Sequence, residues 1–112
     1  MAKFLVQKSK PLNGEVVISG AKNAVLPLMA AAILAEDKCI IRDVPDLRDV
    51  EVMKEILASL GSEIKEIEES VLEIRTEKII SNEAGFDLVR KMRASFLVMG
   101  PLLGRIGRAK VH

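Results

Sequence analysis

The sequence predicts an α/β fold in which two helices cover one sheet, in the order strand, helix, strand, helix, strand, strand. Apolar runs of strand length alternate with apolar residues at helical spacing, and glycine or proline stands near the joins. The chain has 112 residues, of which 49% are hydrophobic and 29% charged. That composition is typical of a folded globular chain, and this length supports one small domain with a modest core.

Residues 15–34 are the stretch around which the rest of the predicted fold is organised. The β-branched residues at positions 16–18 predict a strand, and Gly20 permits a tight turn after it. Residues 24–34 are good helix formers and almost wholly apolar. We therefore expect this helix to be buried on most of its sides.

Two polar side chains, Lys22 and Asn23, lie at the join between this strand and helix. The first amides of a helix lack intrahelical partners and the helix dipole is positive there, so a lysine at this end predicts a site for phosphate or carboxylate. A structural alternative stays open. Asn23 could cap the helix, and Pro27 fits a first-turn position if the regular helix begins near Leu26.

The following segments complete the predicted layer. Residues 39–44 indicate a strand, and residues 46–60 indicate a helix with Asp46 as its N-cap and Asp49 in its first turn. One apolar stripe at helical spacing is predicted along this helix, formed by Val50, Met53, Ile56, Leu57 and Leu60. Gly61 then predicts a left-handed C-cap.

Two hairpin strands are predicted next, over residues 62–68 and 71–76, and their charges indicate a solvated sheet face. A short strand over residues 4–7 precedes the layer, followed by a turn at Asn13-Gly14.

The last part of the chain predicts the start of a second unit. It contains a helix over residues 87–99, an interruption at Gly100-Pro101, a loop over residues 104–108, and the first residues of a strand over 109–111. Because that strand is cut off, we expect a truncated protein whose apolar helix face tends to self-associate. The helix residues expected to face inward are Val89, Met92, Phe96 and Met99.

Composition excludes several classes of partner. A formal net charge of +1, with three Phe and no Trp or Tyr, gives no reason to expect nucleic acid. The longest apolar run, residues 24–35, is too short to span a membrane, and the N-terminus lacks a signal-peptide core, so we expect a cytoplasmic protein. Cys39 is the single cysteine, so no intrachain disulfide is possible, and it is expected to behave as a small hydrophobic residue.

Four motifs span the chain and together resemble one known family. They are residues 19–27 (Ser-Gly-Ala-Lys-Asn-Ala-Val-Leu-Pro), the helix start at residues 44–49, Arg93-Ala94-Ser95, and residues 100–103 with 107–109. The resemblance is to the UDP-N-acetylglucosamine 1-carboxyvinyltransferases, a branch of the enolpyruvyl transferases.

The resemblance implies an inside-out α/β barrel built from repeated strand-helix-strand-helix-strand-strand units. Residues 1–14 would be an N-terminal strand and turn, residues 15–76 the first unit, and residues 77–112 the start of the second.

The resemblance also implies an activity and site residues. The family moves the enolpyruvyl group of phosphoenolpyruvate to the 3-hydroxyl of UDP-N-acetylglucosamine, the first committed step of peptidoglycan synthesis, with no cofactor or metal. Lys22 would contact phosphoenolpyruvate, Asn23 would help to hold the substrates, and Arg93 would contact the sugar nucleotide. A guanidinium suits that role because it offers a planar fork to phosphate or carboxylate oxygens.

The family's proton donor, a cysteine or aspartate, lies in a loop beyond the position of His112. No catalytic residue is therefore expected in this chain, which should be inactive by itself. The shikimate-pathway enolpyruvyl transferase is one alternative, but its motif has Asp-Lys-Ser where this chain has Ala21-Lys22-Asn23. A non-enzymatic interaction or RNA-binding module is the other alternative, although neither a basic face nor exposed aromatic residues are evident.

Overall fold

The structure, a computed structural model, describes residues 2–81 and 93–110, with the backbone alone for residues 93–95. In that part of the chain it confirms an α/β fold. Short 3₁₀ turns, Ala32–Leu34 and Arg93–Val98, follow the first helix and precede the last. The regular elements are α1 Lys22–Ala31, β1 Lys38–Ile41, α2 Arg48–Leu60, β2 Glu63–Glu68, β3 Val71–Arg75 and α3 Met99–Ile106.

The three strands of the described residues form one sheet in the order β1-β3-β2, with β3 antiparallel to both neighbours. The register places Cys39 and Ile64 on either side of Ile74, on the face that packs against the core. The predicted hairpin is confirmed. Its turn ends at Ser70, which has a φ of 61°.

The core lies between this face of the sheet and the helices α1 and α2. It also includes Val98 and Leu102 from the last segment, both fully buried. The helical stripe predicted in α2 is confirmed, because its apolar residues at positions i, i+3 and i+4 are all buried. The largest fully buried apolar side chains are Met29, Ile33, Met53, Ile56, Leu57, Leu60, Ile74, Leu102 and Val98.

Helix α1 differs from its prediction in two respects. It begins at Lys22, so Pro27 is its sixth residue and the alternative of a first-turn proline is wrong. Only one side of the helix is buried, while Leu28 on the other side is 55% exposed. Apolar composition shows how much surface could be buried, but the neighbouring elements decide which side is covered.

The predicted strands at residues 4–7 and 16–18 are wrong for this structure. The described residues 2–20 contain no strand, and Val17 is 91% exposed. β-branched residues favour extended backbone, but a strand also requires a neighbour to accept and donate its hydrogen bonds. None of the described strands pairs with this segment.

The segment between β1 and α2 turns earlier than predicted. β1 ends at Ile41 instead of continuing to residue 44, and Asp43 adopts a φ of 56°. The N-cap of α2 is Leu47 and not Asp46, with no side-chain cap. Asp49 lies in the first turn as predicted, and Gly61 ends the helix with a φ of 118°, which confirms the left-handed cap.

The predicted interruption at Gly100-Pro101 is also wrong, because both residues lie inside α3. Pro101 is the third residue of the helix, where the missing N–H would have had no intrahelical partner. The helix continues through the predicted loop to Ile106 and ends at Gly107, whose φ is 75°.

The inward face of this last segment consists of other residues than those expected. Phe96 is 61% exposed and Met99 half-buried, whereas Val98 and Leu102 are buried. Val89 and Met92 lie outside the described residues, as does residue 111 of the predicted strand. Lys110 forms an isolated β-bridge.

The side chain of Arg105 links α3 to the rest of the fold. Its Nη1 donates to the carbonyl oxygens of Ile33 at 2.7 Å, of Ala35 at 3.3 Å and of Thr76, and its Nη2 donates to that of Glu77 at 2.8 Å. One guanidinium therefore satisfies carbonyls at the end of the α1 segment and at the end of β3.

Replacing Arg105 with methionine is expected to lower the free energy of unfolding by about 2 kcal/mol, because part-buried carbonyls lose a charged donor while the aliphatic stem is largely kept. Urea unfolding followed by circular dichroism measures this. Arg108→Met is the matched control, because Arg108 is exposed. Equal unfolding midpoints for the two variants would contradict the structural role of Arg105.

Candidate functional site

The first two residues of α1, Lys22 and Asn23, are exposed. Its N-cap, Ala21, is extended with φ −93° and ψ 131°, and no side chain caps the helix. The amides of Ala24 and Val25 donate to the Ala21 carbonyl at 3.2 and 3.0 Å. The two preceding amides, of Lys22 and Asn23, belong to the first turn that has no intrahelical acceptors. Asn23 is exposed and does not cap the helix, so that alternative is wrong.

The side chain of Lys22 forms an ion pair with Asp49. Its Nζ lies 2.8 Å from Asp49 Oδ2, and the two side chains are 51% and 29% exposed. Because Lys22 begins α1 and Asp49 lies in the first turn of α2, the two helices start side by side at the same end of the core. Two helix dipoles therefore present their positive ends at one place.

Close backbone packing at Gly20 holds this end together. A Cβ at Gly20 would collide with the carbonyl oxygen of Asp43 and lie 3.2 Å from Pro45 Cδ. The amide of Val44 in turn donates to the Ser70 carbonyl at 2.9 Å. The segments before α1 and α2 and the hairpin turn thus converge.

A cavity of about 410 Å³ lies where they meet, lined by residues 17–20, 43–47 and Ser70. A neighbouring cavity of about 360 Å³ has charged side chains on its wall, among them Glu51, Lys54, Glu66 and Glu69.

The structure brings together only part of the site expected from the sequence. Lys22 and Asn23 are adjacent at the start of α1. Arg93 is the first residue of the 3₁₀ turn before α3, and its side chain lies outside the described part. The expected contact of Arg93 with the sugar nucleotide stays a prediction.

The ion pair between Asp49 and Lys22 was not predicted from the sequence. The pattern identified Asp49 as a first-turn acidic residue of α2, and that assignment is confirmed. Nothing in the local pattern pairs it with Lys22, because the two are far apart in the sequence and meet only when both helices pack on the sheet. One signal for this pairing was present in the sequence: Lys22 and Asp49 lie in two of the four motifs that resemble the same family.

Residues 2–81 and 93–110 contain neither a metal-binding cluster nor a membrane-spanning helix. No group of three or more His, Cys, Asp or Glu side chains in these ranges is placed to hold a metal ion. No helix within them has the length and apolar content needed to cross a membrane. Cys39 is partly buried and packs against the core, as expected.

Comparison with known proteins identifies the family of this chain. Residues 6–112 match the family described as EPSP synthase (3-phosphoshikimate 1-carboxyvinyltransferase). The chain belongs to this family of enolpyruvyl transferases.

Two relatives within the family share one name. The chain is 55% identical over 111 residues to the UDP-N-acetylglucosamine 1-carboxyvinyltransferase of Thermotoga maritima, covering 99% of this chain and 26% of the relative. It is 47% identical over 111 residues to the protein of the same name from Pseudoalteromonas atlantica, with the same coverage of both chains. The chain thus spans about a quarter of the length of the curated relatives it matches.

A solved structure supports the fold. The chain is similar to the enolpyruvyl transferase NikO from Streptomyces tendae with a TM-score of 0.73 and 26% sequence identity. The match covers 86% of this chain and 22% of NikO. The described elements are therefore consistent with one part of the enolpyruvyl transferase fold.

Gly20→Ala is expected to disrupt the converging segments, because its Cβ collides with backbone and not with a movable side chain. We expect a loss of about 1–3 kcal/mol in the free energy of unfolding and shifted amide resonances at residues 21–25 and 43–45. Urea unfolding and two-dimensional NMR measure the two effects. Gly14→Ala is the matched control, because a Cβ there meets nothing within 4 Å. Similar behaviour of the two variants would contradict the close approach.

Proposed function

We propose that this chain supplies part of an enzyme that transfers the enolpyruvyl group of phosphoenolpyruvate to the 3-hydroxyl of UDP-N-acetylglucosamine, with release of phosphate. The observation that carries the proposal is 55% identity over 111 residues to a relative named for that activity. The exposed lysine at the uncapped start of α1 supports it, because the reaction requires cations that hold a phosphate and a carboxylate.

Three residues of this chain bind different parts of the two substrates. The Lys22 ammonium and the first amides of α1 bind the phosphate or carboxylate of phosphoenolpyruvate. Asn23, exposed beside Lys22, helps to hold the substrates. Arg93 binds the sugar nucleotide with its planar guanidinium. The proton donor and the base for the sugar hydroxyl come from the remainder of such an enzyme, as no catalytic residue is assigned to this chain.

The names of the relatives favour transfer to UDP-N-acetylglucosamine over transfer to shikimate 3-phosphate, although the family is named after the second reaction. Several relatives at 44–55% identity bear the UDP-N-acetylglucosamine name. Membership of an enolpyruvyl transferase family likewise favours an enzyme over an RNA-binding or other interaction module. The corresponding cellular role is peptidoglycan synthesis in the cytoplasm, and through the cell wall an effect on cell shape and division.

Residues 15–76 and 77–112 would form the first repeat unit of the barrel and the start of the second. Side chains such as Phe4, Val17 and Phe96 expose apolar surface. We expect this surface to be covered by further polypeptide in a complete enzyme and to promote self-association when the chain is alone.

Lys22→Ala is expected to abolish the weak anion affinity of this chain, because the lysine and the helix N-terminus act at one place. Titration with phosphoenolpyruvate, followed by the amide resonances of residues 21–25, measures the affinity. Lys54→Ala is the matched control, since Lys54 also belongs to an ion pair at 2.9 Å but lies within α2.

In the unsubstituted chain and in Lys54→Ala we expect saturable shifts at residues 21–25. Identical shifts in Lys22→Ala, or no shifts in the unsubstituted chain, would contradict the assignment of Lys22.

The transfer activity itself is tested by a chimera in which this chain replaces the 111 matched residues of the Thermotoga maritima relative. We expect the chimera to release phosphate from phosphoenolpyruvate when UDP-N-acetylglucosamine is present, and not with shikimate 3-phosphate. The 112-residue chain alone should be inactive, because the reaction needs both substrates held in one cleft and a general acid, whose loss alone costs a factor of about 10² to 10⁴.

A folded chimera that releases no phosphate would refute the proposed function. Turnover by the 112-residue chain above a boiled control would instead show that the chain carries the whole chemistry and that the division of tasks is wrong.

A further inference from the structure

The ion pair between Lys22 and Asp49 joins the first turns of α1 and α2. The Nζ–Oδ2 distance is 2.8 Å, and Asp49 is the more buried member with 29% of its side chain exposed. Its partner stands at the first position of α1, whose first turn has no acidic residue.

The helix dipoles act on the two residues in opposite directions. A carboxylate in the first turn of α2 is favoured by that helix, so Asp49 has its own reason to stay charged and in place. A lysine at the first position of α1 is disfavoured by its helix and would gain by turning its ammonium away into solvent. Asp49 offsets this repulsion and holds the ammonium beside the first turn of α2.

We propose that Asp49 is a positioning residue that holds Lys22 at the α1 N-terminus in readiness for an anionic substrate group, an inference that rests on the proposed function. An ammonium has three donors, so one can remain with Asp49 while the others bind a phosphate or carboxylate. Because Asp49 already restricts the rotamers of Lys22, less conformational entropy is lost when the substrate binds.

A positioning role for Asp49 and simple electrostatics predict opposite effects on anion binding when the Asp49 charge is removed. Removing a negative charge near an anion site should tighten anion binding if charge is all that matters. If Asp49 positions Lys22, its removal weakens binding instead. Asp49→Asn keeps the size of the side chain and removes the charge.

Glu51→Gln is the matched control. Glu51 also lies in the first turn of α2 and also pairs with a lysine, Lys54, at 2.9 Å. The two variants thus lose the same charge from the same turn, and only one of them releases Lys22. Unfolding in urea verifies that both remain folded.

The experiment has two readouts. In the 112-residue chain, side-chain NMR relaxation of the lysine Cε methylenes reports whether Lys22 is ordered, with no ligand needed. In the chimera with the Thermotoga maritima relative, steady-state kinetics report the KM for phosphoenolpyruvate and kcat separately. We expect Asp49→Asn to release Lys22 and raise this KM about five- to tenfold, as when a lysine regains its rotamer freedom, with a smaller effect on kcat. Glu51→Gln should leave the order of the Lys22 side chain and the KM for phosphoenolpyruvate unchanged. Asp49→Glu should bring this KM most of the way back to that of the unsubstituted chimera.

Each outcome decides the proposal. A KM for Asp49→Asn that equals or falls below that of Glu51→Gln would overturn the positioning role, as would a Lys22 side chain that is equally ordered in both variants. A chimera without substitutions that fails to release phosphate would refute the proposed function itself, which the relaxation readout does not depend on.

Discussion

Burial of one apolar face shared by α1, α2 and the sheet is the constraint on which the rest of this structure depends. Met29 and Ile33 from the first helical segment, Met53 and Ile56 from α2, and Ile74 from the central strand are all fully buried. Each element is too short to be stable alone, so its conformation depends on this common core. The core also fixes the relative placement of the two helices.

That placement creates the candidate site. With both helices beginning at the same end, Lys22 and Asp49 come within ion-pair distance and two positive helix ends lie together. Gly20 permits the backbone before α1 to approach Asp43 before α2, so the same end is held by backbone packing as well as by charge. A lysine at a helix start lowers the stability of that helix slightly, and the ion pair with Asp49 offsets this loss.

The last segment is tied to the same core by two kinds of interaction. Val98 and Leu102 contribute buried apolar side chains, and Arg105 donates to the carbonyl of Ile33 after α1 and to that of Thr76 after β3. Phe96, expected to face inward, is exposed because the segment begins as a 3₁₀ turn, which rotates successive side chains by a different angle from an α-helix.

The sequence by itself determined the elements whose signals are local. The α2 stripe, the glycine that ends it, the hairpin and the polar pair at the start of α1 all follow from periodicity, capping and turn chemistry within a few residues. The motif of residues 19–27 also indicated the family, and the comparisons confirm that the chain belongs to it. Tertiary structure alone decided which side of α1 is covered, whether residues 16–18 find a strand partner, and that Asp49 meets Lys22. These outcomes depend on contacts between segments distant in the chain, and a local pattern records the propensity of a residue but not the neighbour it will meet.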